Sequence, residues 1–181
     1  VDLINQLVFD AIGYGFAAVD PSAWLVLWLA DHLGWWIGGL VLLLGLVALA
    51  RRRLSGEWAG FVSLAVTLSW LATEAIKFFY HSPRPFVILL DRSFPVTYGG
   101  VDSFPSGHAA VFFALALAVA TRYPHLGQGL AVAALLVSLG RVGAGWHWPS
   151  DILGGAVVAF LVVWGLRLAL NFFRQGVNRY N

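Results

Sequence analysis

The sequence predicts an all-α fold: a polytopic transmembrane helical bundle of five or six spans, with room for an N-terminal helix lying in the bilayer interface. Three observations carry this. Of 181 residues, 60% are hydrophobic and only 11% charged, against about 25% charged in soluble domains. Apolar runs long enough for a membrane, which needs about 20 residues per helix, recur along the chain. The arginines gather at alternate ends of those runs. No repeat or flexible linker interrupts the pattern, so residues 1–181 read as one domain, with an N-terminal segment (1–31) and a transmembrane core (33–173).

The N-terminal segment has a polar face, with Asp2, Gln6 and Asp10 four residues apart, and an apolar face of Leu3, Leu7, Val8, Ala11 and Ile12. That is the pattern of an interfacial helix; the alternative is a sixth span over Leu3–Val19. The start lacks a basic region, so no cleavable signal peptide is expected. Position 1 is Val and the chain has no methionine, so the initiator is expected to have been removed or the chain trimmed. Asp20-Pro21 reads as a helix start, with Trp24 and Trp28 one turn apart behind it. Spans then follow at Trp35–Ala50, Trp58–Tyr80, Gly107–Tyr123, Gly127–Gly143 and about Ser150–Phe173.

Orientation follows from the excess of basic residues in cytoplasmic loops. Arg51, Arg52 and Arg53 follow the first clear span, Arg122 the third, and Arg174 and Arg179 the last. With five alternating spans these fall on one side, the cytoplasm. The N-terminal segment, the Phe86–Phe104 loop and the Ala144–Pro149 loop fall on the other. Trp35, Trp36, Trp146 and Trp148 would contribute to an aromatic belt there. The net charge of +2 gives no reason to expect nucleic acid. With no cysteine, disulfides and thiolate metal sites are excluded.

Apart from Arg167 within the last span, the remaining basic residues, Lys77, Arg84, Arg92 and Arg141, all lie toward the outer ends of spans. Charges at membrane depth are costly, so they pair or serve function. In the first cluster Lys77 occupies the last turns of a span and Arg84 sits between Pro83 and Pro85. The prolines restrict the backbone around a guanidinium suited to bidentate phosphate binding; the plainer alternative is cations reaching for headgroups. Glu74, one turn before Lys77, reads as its i,i+3 partner. His81 reads as a loop residue.

The second cluster is Pro105-Ser106-Gly107-His108. Ser106 caps a helix whose N–H groups and dipole suit an anion. Gly107 permits close approach, and His108 is placed to give a leaving oxygen its proton. In the third, Arg141 precedes His147, with Asp151 one turn further on. A carboxylate can hold one imidazole nitrogen protonated and leave the other free to attack phosphorus. The second and third clusters, each taken alone, also fit an ordinary capped helix. Three clusters on one face, with three cations, two histidines and a carboxylate, point to a multiply charged anion, and phosphate is the natural one.

At these residues the chain resembles the type 2 phosphatidic acid phosphatase superfamily. Lys77 with Arg84-Pro85, then Pro105–His108, then Arg141, His147 and Asp151 match its three motifs at the expected spacings. Gly140 departs from the pattern, standing where many members carry serine. The resemblance implies a helical bundle that needs no metal or other cofactor. It implies His147 as a nucleophile forming a phosphohistidine, Asp151 as its orienting partner and His108 as the general acid. Lys77, Arg84, Ser106, Gly107 and Arg141 match the phosphate-binding set.

Size and the approach to the second motif look most like bacterial undecaprenyl pyrophosphate phosphatases, although many of these carry aspartate at the position of Gly107. The implied partners are bilayer lipids and a lipid phosphate or diphosphate. The implied place is the bacterial cytoplasmic membrane, with the site facing the periplasm or exterior. Phosphatidylglycerophosphate, phosphatidate and lipid A phosphatases share the motifs. A transporter using the same cations is the rival from another class. Five spans without a repeat, and no charge deep in a central helix, argue against it. Vanadate-dependent haloperoxidases use similar coordination but are soluble.

Overall fold

The computed structural model describes residues 3–19, 23–52, 55–89, 94 and 100–180. It is all-helical: α1 (Leu3–Val19), α2 (Trp24–Leu27), a π-turn (Trp28–His32), α3 (Leu33–Ala50), α4 (Gly56–Phe79), α5 (Pro85–Ile88), α6 (Gly107–Ala120), α7 (Pro124–Gly143) and α8 (Pro149–Tyr180). Among the described residues the only sheet-like pairing is a single antiparallel bridge between Pro83 and Asp102. Four helical runs are long and apolar enough to cross a membrane: Trp24–Ala50, Gly56–Phe79, Pro124–Gly143 and Pro149–Phe172. Helix α6 is apolar but shorter.

The centre of the bundle is α6, packed against α4, α7 and α8. Its alanines explain why. Ala109, Ala110, Ala114, Ala116 and Ala118 are all buried, and small side chains let membrane helices approach closely. On α8, Gly155 serves the same end: a Cβ there would meet the Ser106 carbonyl oxygen at 2.5 Å.

Several boundaries differ from those predicted. The segment around Trp24 and Trp28 is not separate from the first span: it continues through the π-turn into α3. The π-turn carries the polar Asp31-His32 pair. The third span ends at Ala120, because a turn at Thr121–Arg122 intervenes, and the fourth starts at Pro124, whose fixed φ suits a first helical turn. Helix α8 runs past Phe173. The expected helix start at Asp20-Pro21, Arg53, Arg92 and the side chains of Arg174 and Arg179 lie outside the described residues.

Helix α1 packs against α7 and α8 at one end of the bundle. Asn5 bonds Ser150, Phe9 is buried against Val142 and Trp148, and the Phe16 ring covers Gly143. Asn5 and Phe16 lie about 16 Å apart along a helix, yet both reach residues 143–150. The helix therefore runs across that end instead of descending beside the spans, with Leu3, Ile4, Leu7 and Val8 exposed. Arg122 sits over the Trp58 ring, 6.0 Å from its centroid, which places it at the opposite end.

Candidate active site

The three motifs converge on the end that α1 crosses. Glu74, Lys77, Arg84, Gly107, His108, Arg141 and His147 all line one cavity of about 1070 Å³. Ser106 and Asp151 are buried behind its wall.

Arg84 is fixed by its backbone surroundings. Its Nε donates to the Gly100 carbonyl at 2.6 Å and its Nη1 to the Trp146 carbonyl at 2.7 Å. The chain on either side is pinned: Arg84 N–H donates to Val101 O at 3.1 Å, and the Trp148 indole donates to Pro83 O at 3.0 Å. Pro85 then occupies the first turn of α5, where its missing N–H leaves no bond unmade. Burial pulls the Arg84 pKa down, while Asp151, Asp102 and Glu74 push it back up. Lys77 reaches the same space from α4 and is held by Glu74 at 2.8 Å, the i,i+3 pair expected from their spacing.

Ser106 caps α6, its Oγ accepting from Ala109 N–H at 3.4 Å. Its own N–H donates to the Asp151 carbonyl at 3.0 Å, tying the second motif to the third. A Cβ on Gly107 would stand 3.7 Å from Lys77 Nζ, so this glycine leaves open the space facing the ammonium. His108 follows in the first turn.

Arg141 is 6% exposed. Its Nη1 donates to Ala30 O at 2.9 Å, a carbonyl of the π-turn, and its guanidinium lies 4.9 Å from the Trp146 ring centroid. This contact explains Gly140. A Cβ there would meet Ala30 N at 2.6 Å and Leu29 Cβ at 2.7 Å, so serine would force the π-turn away from Arg141.

His147 lies in the turn between α7 and α8 and is 2% exposed. Its Nδ1 is 3.5 Å from Asp151 Oδ2, and its Nε2 is 3.5 Å from Arg84 Nη1. Asp151, 1% exposed, accepts the Trp148 N–H at 2.7 Å through the same oxygen. The imidazole pKa is pushed well below its ordinary value, first by burial and then by Arg141, Arg84 and Lys77. A neutral ring with one nitrogen toward a carboxylate and the other toward guanidinium can act as a nucleophile toward an anion. Among the described residues, no three His, Cys, Asp or Glu side chains gather where they could hold one metal ion.

Two contributors escaped the sequence reading. Ser103 is fully buried. Its Oγ and N–H donate to Ser82 O at 3.0 and 2.7 Å, and its carbonyl lies within reach of the His147 ring. It locks the first motif's loop to the second. The other is the π-turn behind Arg141. No local pattern marks either: Ser103 works through its hydroxyl and N–H on the distant Ser82, and the π-turn through the Ala30 carbonyl. His81 stands outside the cavity, 3.1 Å from Asp102.

Comparison with known proteins agrees with this geometry. Residues 58–175 match the PAP2 superfamily. YbjG of Escherichia coli K12, provisionally named an undecaprenyl-diphosphatase, is 30% identical over 163 residues, covering 87% of this chain and 78% of that protein. The undecaprenyl-diphosphatase BcrC of Bacillus subtilis is 31% identical over 106 residues, 58% of this chain and 52% of that one. The crystal structure of Aquifex aeolicus LpxE superposes with a TM-score of 0.73 at 25% identity, covering 91% of this chain and 95% of that one. The chain, with its apolar spans and its three motifs around one cavity, belongs to the PAP2 superfamily and is a membrane-spanning lipid phosphatase.

Proposed function

We propose that the protein hydrolyses undecaprenyl diphosphate to undecaprenyl phosphate at the extracytoplasmic face of the bacterial cytoplasmic membrane, through a phosphohistidine and without a metal. The observation that carries the reading is one cavity that is cationic at its head and apolar below. It runs from Lys77, Arg141 and His147 down between α3 and α4 to Trp58 and Tyr123. Lys77 and Trp58 are separated by about 28 Å of helix, close to the roughly 30 Å hydrocarbon thickness. A chain confined to one leaflet would fill about half of that depth. A long polyprenyl chain suits all of it.

In the proposed reaction, Arg84, Arg141, Lys77 and the N–H groups opening α6 hold the oxygens of the terminal phosphate. Positioning and charge neutralisation supply most of phosphoryl-transfer catalysis. His147 Nε2 attacks phosphorus while Asp151 favours the proton on Nδ1. The bond from phosphorus to the bridging oxygen breaks, and His108 protonates that oxygen as it leaves with the lipid. Water then attacks the phosphohistidine, His108 takes its proton, and inorganic phosphate departs. The outward orientation rests on Arg51, Arg52 and Arg122 lying at the end opposite the site.

The test is turnover of purified protein on undecaprenyl diphosphate, phosphatidylglycerophosphate, phosphatidate and lipid A, each with and without EDTA. Preference for the polyprenyl diphosphate, undiminished by EDTA, is expected. Preference for a diacyl lipid would reassign the substrate, and loss with EDTA restored by magnesium would end the metal-free scheme.

A further inference from the structure

The first turn of a helix leaves N–H groups without intrahelical partners. A capping box answers two of them: the residue at the third position accepts from the cap residue's N–H, and the cap side chain accepts from a first-turn N–H. Helix α8 begins at Pro149, so Trp148 is the cap residue and Asp151 holds the third position. The first half of the box is present, because Asp151 Oδ2 accepts from Trp148 N–H at 2.7 Å. Trp148 cannot supply the second half, since an indole is a donor only, and its N–H is committed to Pro83 O.

The missing acceptor comes from 145 residues away. Ser150 N–H donates to Asn5 Oδ1 at 3.1 Å, and Asn5 Nδ2 donates back to Ser150 Oγ at 2.9 Å. Asn5 sits on a helix seated for this purpose. Four residues on, the Phe9 ring packs on Trp148 with centroids 5.1 Å apart, and Phe16 covers Gly143 where α7 ends. Both ends of the turn that carries His147 are therefore braced by α1.

We propose that Asn5 is a positioning residue of this phosphatase: from α1 it completes the cap of α8, and so fixes Asp151 and, through Asp151, the His147 ring. The proposal rests on the reading of His147 and Asp151 given above. It gives α1, a helix outside the three motifs, a part in catalysis.

The experiment is a cycle of Asn5→Ala, Asp151→Asn and the double variant, with Asn5→Asp alongside, assayed in detergent on p-nitrophenyl phosphate. Removing a cap side chain weakens a helix start by about 1 kcal/mol, so Asn5→Ala should lower kcat about fivefold and leave KM unchanged. Asn5→Asp keeps an acceptor for Ser150 N–H and should restore most of the loss. Coupled residues are non-additive in such a cycle, so Asn5→Ala should cost nothing further once Asp151 is Asn. A repeat of the fivefold loss in the Asp151→Asn background, an equal loss in Asn5→Asp, or unchanged kcat in Asn5→Ala would overturn the proposal. Full activity of Asp151→Asn itself would instead overturn the orienting role of Asp151 on which it rests.

Discussion

The wall of the cavity made by α6, α7, α8 and the loops between them is close-packed, while the wall made by α3 is nearly bare. On the first wall His147, Asp151, Ser103 and Ser106 are buried and each is tied to a second segment. On the second, Leu42, Leu44, Leu46 and Leu49 are exposed, and α3 touches α4 only sparsely. The difference matches two tasks. Groups that stabilise a transition state must be held before substrate arrives. A hydrocarbon chain entering from a bilayer exchanges one apolar surrounding for another, so its groove gains little from being closed in advance. The rigid wall should therefore govern kcat, and the loose wall should govern which lipid binds.

The sharpest way to break this contrast is to remove groups from the rigid wall. His147→Ala should abolish nearly all turnover on every substrate, because no covalent intermediate can form. His108→Ala should cost about 10²–10⁴-fold on a lipid monophosphate, the usual worth of a general acid, and much less on p-nitrophenyl phosphate, whose leaving group needs little protonation. Acid-labile phosphate trapped on His147 in the His108→Ala protein would support the division of roles. Substantial activity in His147→Ala, or equal losses on both substrates for His108→Ala, would reverse it.

The loose wall offers the next test, with smaller effects. Gly38 and Gly45 line the groove on α3, and a Cβ at either would meet nothing within 4 Å. Leucine there adds bulk to the groove without straining the helix. From Ala30, which contacts Arg141, Gly38 lies about 12 Å down the helix and Gly45 about 22 Å, beyond the bilayer midplane. Gly38→Leu should raise KM about tenfold for any lipid chain. Gly45→Leu should do so for the full-length polyprenyl diphosphate and leave a short-chain analogue unaffected. Neither should change turnover of p-nitrophenyl phosphate. If both variants act alike on short and long chains, the groove does not hold the chain along its length.

Much of this was legible in the sequence, and the limits have physical causes. The cluster from Lys77 to Asp151 is written in side chains at fixed spacing, so its convergence could be read directly: Lys77, Arg84, His108, Arg141 and His147 do share a cavity. The Glu74–Lys77 pair followed from helix geometry. Gly140 looked like a lost hydroxyl, yet it is a steric requirement of a π-turn more than a hundred residues upstream. The Ala30 carbonyl acts through the backbone, which a side-chain pattern does not record, and nothing in the local sequence says that the Ser103 hydroxyl meets the Ser82 carbonyl. The first thirty residues were ambiguous because seventeen apolar and polar positions in α1 fit either a short span or a surface helix; only its contacts with residues 143–150 choose between a course across the bundle and one beside it.

The smallest expected effect concerns charge on the rigid wall. Burial, with Arg141, Arg84 and Lys77 nearby, holds the His147 pKa well below its ordinary value, which is about 6.5. A free histidine at pH 6 is mostly protonated, so His147 should instead remain neutral there. The sign for stability follows from linkage. With the folded pKa depressed, the unfolded chain binds the proton more readily. The His147 contribution to stability is therefore complete above about pH 6.5 and is lost as pH falls from there through the folded value. Because a phosphate monoester itself gains a proton near pH 6, a rate profile would mix two ionisations. The cleaner measurement is the ring ¹⁵N spectrum of the substrate-free protein, with His147 assigned by its disappearance in His147→Ala. Lys77→Gln removes one of the three cations and should move the titration upward toward 6.5, by less than the loss of either arginine would. A His147 ring that titrates at or above 6.5 in the unaltered protein would mean that this wall does not hold His147 neutral, and the contrast with the groove would lose its electrostatic half.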